Sequence, residues 1–177
     1  MHDKRLANLL GALALTVNDL ALADATAAAG TSVSGSAALV VLSTAPGLSV
    51  TELGRRVGLS QPATARMVDA LERRGLVERR PTLARAVAVH LTTAGTGAAG
   101  RILGQRGGRI GSLTSALDER ERAVFAELAA KLLTAAYEQL PEPDRLCRLC
   151  DRAACVAEGE ACPVGAACRA RESADGS

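Results

Sequence analysis

Aromatic side chains are almost missing from this sequence: one phenylalanine (Phe125), one tyrosine (Tyr137) and no tryptophan in 177 residues. Single-stranded nucleic acid is gripped by stacking bases on aromatic rings, so the shortage argues against that mode of recognition. The core must be built from Ala, Leu and Val, which favours close-packed helices over a β-sandwich. Histidine is scarce too, with only His2 and His90. No His-rich metal site, serine-centred triad, phosphate loop or pair of catalytic carboxylates stands out, and catalysis is not indicated. A run of about twenty uninterrupted apolar residues is also lacking, which speaks against a membrane span. The length fits one domain, or one domain with an appendage.

What is present centres on Ser49 to Leu91. Val50, Leu53 and Val57 fall at spacings of three and four and predict a short helix, with Glu52, Arg55 and Arg56 on its other face. Gly58 ends it, free to take a positive φ. Ser60 stands where an N-cap belongs and Pro62 in the first turn, so a second helix is expected from about Gln61 to Arg74. Its inward stripe reads as Ala65, Val68 and Leu71, followed by Leu76 after Gly75. That phase leaves Gln61, Ala63, Thr64, Arg66 and Met67 outward near the helix start. Gln, Thr and Arg on the first turns of a helix suit the major groove of duplex DNA, where Arg reads guanine, Gln reads adenine and Thr meets a base edge or the thymine methyl. Arg73, Arg74, Arg79 and Arg80 flank the helix as phosphate contacts.

Leu76 to Arg79 and Ala86 to Leu91 read as two strands joined by a loop containing Pro81 and Arg85, a wing beside the recognition helix. Between Ser49 and Leu91 eight arginines face four acids, so this segment nets +4 while the whole chain nets +2. Charge concentrated on a groove-reading module is the footprint of a duplex binder. Winged helices also serve as protein-interaction modules, so a winged helix without DNA binding stands as an alternative.

The run P-G-L-S-V-T-E-L-G-R-R-V-G-L-S-Q-P-A-T-A-R-M-V-D-A-L-E-R-R-G-L-V-E-R-R at Pro46 to Arg80, with R-A-V-A-V-H-L-T-T-A-G at Arg85 to Gly95, resembles the MarR (multiple antibiotic resistance regulator) family of winged-helix transcription factors. The likeness is strongest in the winged helix and covers roughly residues 5 to 140. It implies an Asp-x-Arg in the wing; Arg85 matches the Arg, while Leu83 stands at the Asp position that typically fixes wing geometry. By this resemblance Arg85 reaches into the minor groove, where narrow A·T-rich segments concentrate negative potential. The resemblance also implies a pocket for a small phenolic or amphipathic effector between the winged helix and the dimerisation helices.

Outside the module, helices are expected at about Asp3–Ala28, ending at Gly30; at Gly35–Thr44; from a Thr92 cap to about Ala116; and from Asp118 to the prolines Pro141 and Pro143. Asp118 with Glu121 makes a capping box. The third of these helices holds Gly95, Gly97, Gly100, Gly104, Gly107, Gly108 and Gly111, either to allow close helix crossing or to provide a hinge; we favour close crossing. At the N-terminus, Lys4-Arg5, Leu9 to Val17 and Ala21-x-Ala23 imitate a secretory signal. Leu6, Leu9, Leu10, Leu13, Val17 and Leu20 nevertheless form a helical stripe interrupted by Asn8, Asn18 and Asp19, and a DNA binder belongs in the cytoplasm. The long helices carry more apolar surface than one winged helix covers. A homodimer reading a palindromic operator, with half-sites about one helical turn apart, is the economical explanation.

All five cysteines crowd the C-terminus as Cys147-x2-Cys150-x4-Cys155-x6-Cys162-x5-Cys168. Cys147, Cys150, Cys155 and Cys162 could hold zinc, or an iron–sulfur cluster; the same thiols could instead form disulfides on oxidation. Cys147-x-x-Cys150 also raises a thiol- or metal-binding redox protein as a rival function, though it lacks the strand–helix setting of a thioredoxin-like pair. The expected architecture is mostly α: a dimerisation helix at 1–30, a winged helix-turn-helix with a two-stranded wing at 31–91, C-terminal dimerisation helices at 92–140 and a Cys-rich tail at 141–177. The expected function is a dimeric regulator of transcription, more simply a repressor than an activator because occupancy suffices, released by a small-molecule, metal or redox signal.

Overall fold

A computed structural model describes residues 2–82 and 87–175. Helix α1 (His2–Ala29) leads to α2 (Val33–Thr44), a two-residue strand β1 (Leu48–Ser49), α3 (Val50–Val57) and α4 (Gln61–Arg73). Strands β2 (Val77–Pro81) and β3 (Val87–Leu91) follow, then α5 (Thr93–Thr114) and α6 (Glu119–Gln139). The C-terminal segment holds a 3₁₀ turn at Pro143–Cys147, a one-turn helix α7 (Arg152–Cys155), a second 3₁₀ turn at Ala157–Gly159 and α8 (Pro163–Asp175).

Helix α2 lies at the centre. Its residues from Gly35 to Leu42 are all buried, so it carries no polar stripe, as befits a helix packed on every side. Ser32 caps it by accepting from the Gly35 N–H at 3.1 Å. Around it close Leu53, Val68, Leu71, Val77, Val89, Ala98 and Ile102, drawn from α3, α4, both wing strands and α5. The sheet order is β1-β3-β2, both pairings antiparallel, with Val77 opposite Leu91 and Arg79 opposite Val89. The wing is therefore three-stranded among the described residues: Leu48 and Ser49 add an edge to β3 that two residues cannot announce in a sequence.

The long helices behave differently. Helix α1 packs along α5, yet Leu6, Leu9, Leu10 and Leu13 remain exposed. By length and composition alone Asp3–Ala23 could cross a membrane. Helix α6 begins with the expected capping box, the Glu121 N–H donating to Asp118 at 2.8 Å and the Asp118 N–H donating to Glu121 at 2.9 Å. It packs on α8 and on the turn at Pro143–Cys147, and leaves Val124, Phe125, Leu128, Leu132 and Leu133 exposed.

Two contacts tie the long helices to the end of α4. Arg74 donates to the carbonyls of Gly30 at 2.6 Å and Ala29 at 2.9 Å, capping the C-terminus of α1. On the other side, Thr92 donates through its hydroxyl to the Gly75 carbonyl at 2.6 Å and through its N–H to the Leu76 carbonyl at 3.1 Å. Gly95 packs so closely on Leu76 that a Cβ there would fall on its carbonyl oxygen. Close crossing thus explains Gly95, whereas Gly100, Gly104, Gly107, Gly108 and Gly111 have open space where a Cβ would go.

Candidate nucleic-acid interface and thiol cluster

The helix-turn-helix is assembled by local rules. Ser49 caps α3, accepting from the Glu52 N–H at 3.1 Å, and Gly58 ends it at φ 74°, in the left-handed region where only glycine sits without strain. Helix α4 starts after Ser60, in extended backbone, with Pro62 in its first turn; the Ser60 side chain makes no capping bond.

The inward face of α4 keeps Val68 and Leu71 of the expected stripe but differs from it in the first turns. Thr64, Met67, Val68 and Leu71 are the buried positions, Thr64 completely so, and Ala65 is only half-buried. Thr64 and Met67 therefore do not face a DNA groove. Two features hold Thr64 inside. Its hydroxyl donates to the Ser60 carbonyl at 2.9 Å, and Gly54 of α3 leaves room for it, since a Cβ at residue 54 would land on the Thr64 hydroxyl. A threonine that satisfies its own hydroxyl inside the helix can stand in for an apolar residue at a tight crossing. Gln61 and Arg66 remain exposed and Ala63 half-buried, so three of the five expected groove-facing positions keep access to solvent.

The arginines divide the same way. Arg79 pairs with Asp69 at 2.6 Å and with Glu72, and its N–H also donates to Glu72 at 3.2 Å. It braces the wing against α4 and is not a free phosphate contact. Arg74, as described, is spent on the C-terminus of α1. Arg80 pairs with Glu78 of the same strand but stays well exposed, an arrangement that a phosphate can outcompete because surface ion pairs are weak. Arg66 and Arg73 are exposed with no ion pair among the described residues. Arg85, with Leu83 and Ala86 beside it, lies outside the described residues. On α3, Arg55 and Arg56 both bond Glu52, Arg55 at 2.7 Å and Arg56 at 2.8 Å. The Arg55 guanidinium, helped by Arg56 against partial burial, holds the Glu52 carboxyl down to about 2.

The C-terminal segment lies on this module. Asp144 pairs with Arg55, the Arg145 side chain covers Gly58 at the bend of the helix-turn-helix, and Leu149 is buried in the main core. Cys147, Cys150, Cys155 and Cys162 line one cavity of about 120 Å³ together with Val41 and Thr44 of α2 and Arg56 of α3. All are free thiols. Their side chains adjoin in series, Cys147 to Cys150, Cys150 to Cys155 and Cys155 to Cys162. The Cys147 hydrogen bond, with Arg106 nearby, brings Cys150 down to about 6 against the effect of burial. The same bond pushes Cys147 upward, and burial pushes Cys155 up to about 11. Among the described residues no three His, Cys, Asp or Glu are arranged to hold a metal ion. Cys168 stands apart on α8, beside Tyr137.

An exposed helix face with unpaired arginine, backed by a three-stranded wing, defines a winged helix-turn-helix protein. Residues 29–84 match the sequence model of the MarR family. The chain has the fold of MarR-family transcription regulators. It superimposes on YusO of Bacillus subtilis with a TM-score of 0.64 and 24% identity, over 76% of this chain and 99% of that one. For MepR, a transcription regulator of the Staphylococcus aureus multidrug efflux pump MepA, the TM-score is 0.65 at 18% identity, over 73% and 97%. A MarR family protein of Mycobacterium tuberculosis gives 0.59 at 26% identity, over 73% and 95%, and has also been solved with p-aminosalicylic acid and with salicylic acid. No curated protein sequence matches the chain.

Proposed function

We propose that the chain is a homodimeric, sequence-specific DNA-binding repressor whose two α4 helices enter the major groove at palindromic half-sites. The observation that carries this is the division of α4: Thr64, Met67, Val68 and Leu71 lock one face into the core, while Gln61, Arg66 and Arg73 stand exposed on the other. A helix held rigidly from behind presents its outer side chains at fixed spacing, which base reading requires. The exposed leucines of α1 and α6 supply the second half of the proposal. Burying one such side chain yields about 1.5–3 kcal/mol, so pairing these faces between two copies is worth enough to hold a dimer.

Signal transmission follows from the contacts at the end of α4. Because α1 grips it through Arg74 and α5 through Thr92 and Gly95, a change in how the long helices pack alters the separation of the two recognition helices. A cavity of about 230 Å³ lined by Leu42, Ser43, Arg80, His90 and Thr96 lies between α2, the wing and α5. It offers a cation and an imidazole to a small aromatic acid, the ligand class seen with the M. tuberculosis relative.

The test is fluorescence anisotropy with duplex DNA at increasing salt. Binding should weaken steeply with salt because phosphate contacts release counterions. Arg66→Ala should weaken it about tenfold or more, the cost of one lost base contact. A chain that ignores duplex DNA, or binds it identically without Arg66 and Arg73, is a protein-interaction module instead.

A further inference from the structure

The sequence places four cysteines where the regulator fold has no need of them, and the structure sets them against the first helix of the DNA-binding unit. We propose that Cys150 and Cys147 are a peroxide-oxidisable pair whose disulfide uncouples the C-terminal segment from α3. The inference rests on the proposed function for its consequence, but not for its chemistry.

The backbone already brings the pair together. The Cys150 N–H donates to the Cys147 carbonyl at 3.0 Å, closing a turn of four residues. The ends of such a turn lie within about 7 Å, and a disulfide needs Cα atoms roughly 4.4–6.8 Å apart. The two thiols adjoin, both half-buried, at a cavity wide enough for a small hydroperoxide. Cys150 is also the sulfur that a positive charge favours as thiolate, from Arg106 of α5. The thiolate is the form that attacks a peroxide.

The reaction balances with one hydroperoxide. The Cys150 thiolate attacks the terminal oxygen; the O–O bond breaks, an alcohol (water, where the oxidant is hydrogen peroxide) leaves after taking a proton, and Cys150 becomes a sulfenic acid. The Cys147 sulfur then attacks the Cys150 sulfur. The S–O bond breaks, the departing hydroxide takes the Cys147 proton to give water, and the S–S bond forms. Two thiols lose two electrons in all, and the peroxide gains them. A dithiol reductant reverses the change.

The turn that closes is the one that anchors the segment. Asp144, on Arg55, and Arg145, over Gly58, precede Cys147 in the same 3₁₀ turn, and Leu149 lies in the core between the two cysteines. Closing the S–S bond draws the two sulfurs from hydrogen-bond distance to about 2.05 Å and pulls Cys150 from Cys155; the shift falls on the turn that carries these attachments, and the brace at the C-terminal end of α3 weakens.

The test treats the reduced full-length protein with one equivalent of hydrogen peroxide and reads intact mass, peptide map, metal content and duplex binding together. Expected are the loss of two hydrogens, a linked Cys147–Cys150 peptide, reversal by dithiothreitol and a fall in DNA affinity of about tenfold. Cys147→Ser should stop at a sulfenic acid on Cys150 that a cyclic diketone traps, and Cys150→Ser should yield neither. Unchanged mass would overturn the proposal, as would a linkage confined to Cys155, Cys162 or Cys168, or one zinc per chain that keeps the thiols from reacting. Oxidation of the expected pair with DNA affinity unchanged overturns the coupling to α3. Absence of duplex binding by the reduced protein sinks the regulator reading instead, while the mass still decides the pair.

Discussion

The winged helix and the long helices are built from the same few residue types, yet one is finished within a single chain and the other is not. In the module, Leu53, Val68, Leu71, Val77 and Val89 all disappear into one core around α2. On α1 and α6, Leu6 and Leu9, Leu128 and Leu132 are each more than half exposed. Composition cannot separate the two regions; the geometry of burial does. A reading unit must be rigid in each copy; in the proposed dimer, the frame that sets the distance between two readers is completed only when the copies meet.

The sharpest way to break that contrast is to spoil the frame and leave the reader alone. Leu128→Glu with Leu132→Glu should halve the mass seen by light scattering and cost operator binding at least about a hundredfold, since each half-site then binds alone. The α4 module should stay folded by circular dichroism.

A pair of glycine substitutions on α5 makes the same distinction within one helix. Gly95→Ala places a Cβ against the Leu76 carbonyl and should destabilise by about 2–3 kcal/mol. Gly108→Ala meets open space and should stabilise by about 0.5–1 kcal/mol through helix propensity. Urea denaturation measures both, and equal signs would mean that α5 does not dock on the wing as described.

Within α4, Thr64→Val removes a hydroxyl bonded to the Ser60 carbonyl and should cost about 1 kcal/mol of stability without altering which bases are read. Arg66→Ala should do the reverse, leaving stability within about 0.5 kcal/mol and weakening DNA binding. Calorimetry and anisotropy on the same samples separate the two.

The smallest effect lies on α3. Glu52 has a folded-state pKa near 2, below its ordinary 4.5, so its contribution to stability is present above about 4.5 and is lost as the pH falls toward 2. Glu52→Gln should flatten that part of the acid-stability curve, measured by denaturant midpoints. An unchanged curve would mean that Arg55 and Arg56 do not hold it.

Much of this was legible in the chain itself, for identifiable reasons. Gly58, Pro62 and the Asp118–Glu121 box act within a few residues, and each did locally what its chemistry requires, whereas Ser60, expected as an N-cap, makes no side-chain capping bond. Val68 and Leu71 of α4 were legible as inward, but its first turns were not, because Ala65 is small enough to read as inward and Thr64 polar enough to read as outward. Only Gly54, on a different helix, decides between them. Arg74 and Arg79 look the same in sequence as Arg66 and Arg73; what sets them apart is a carbonyl 44 or 45 positions earlier for Arg74, and acids of α4 seven and ten positions earlier for Arg79. The crowding of the cysteines was plain, but their placement against α3 depends on a fold that composition and spacing do not encode.

The most direct measurement of the central claim is selection of bound duplexes from a random-sequence pool by the reduced wild-type protein, with Arg66→Ala in parallel. The expected result is a palindrome with half-sites about one helical turn apart, blurred at the positions Arg66 reads in the variant. A pool that stays random, or a motif unaltered by the loss of Arg66, would contradict the assignment of α4 as the reading helix.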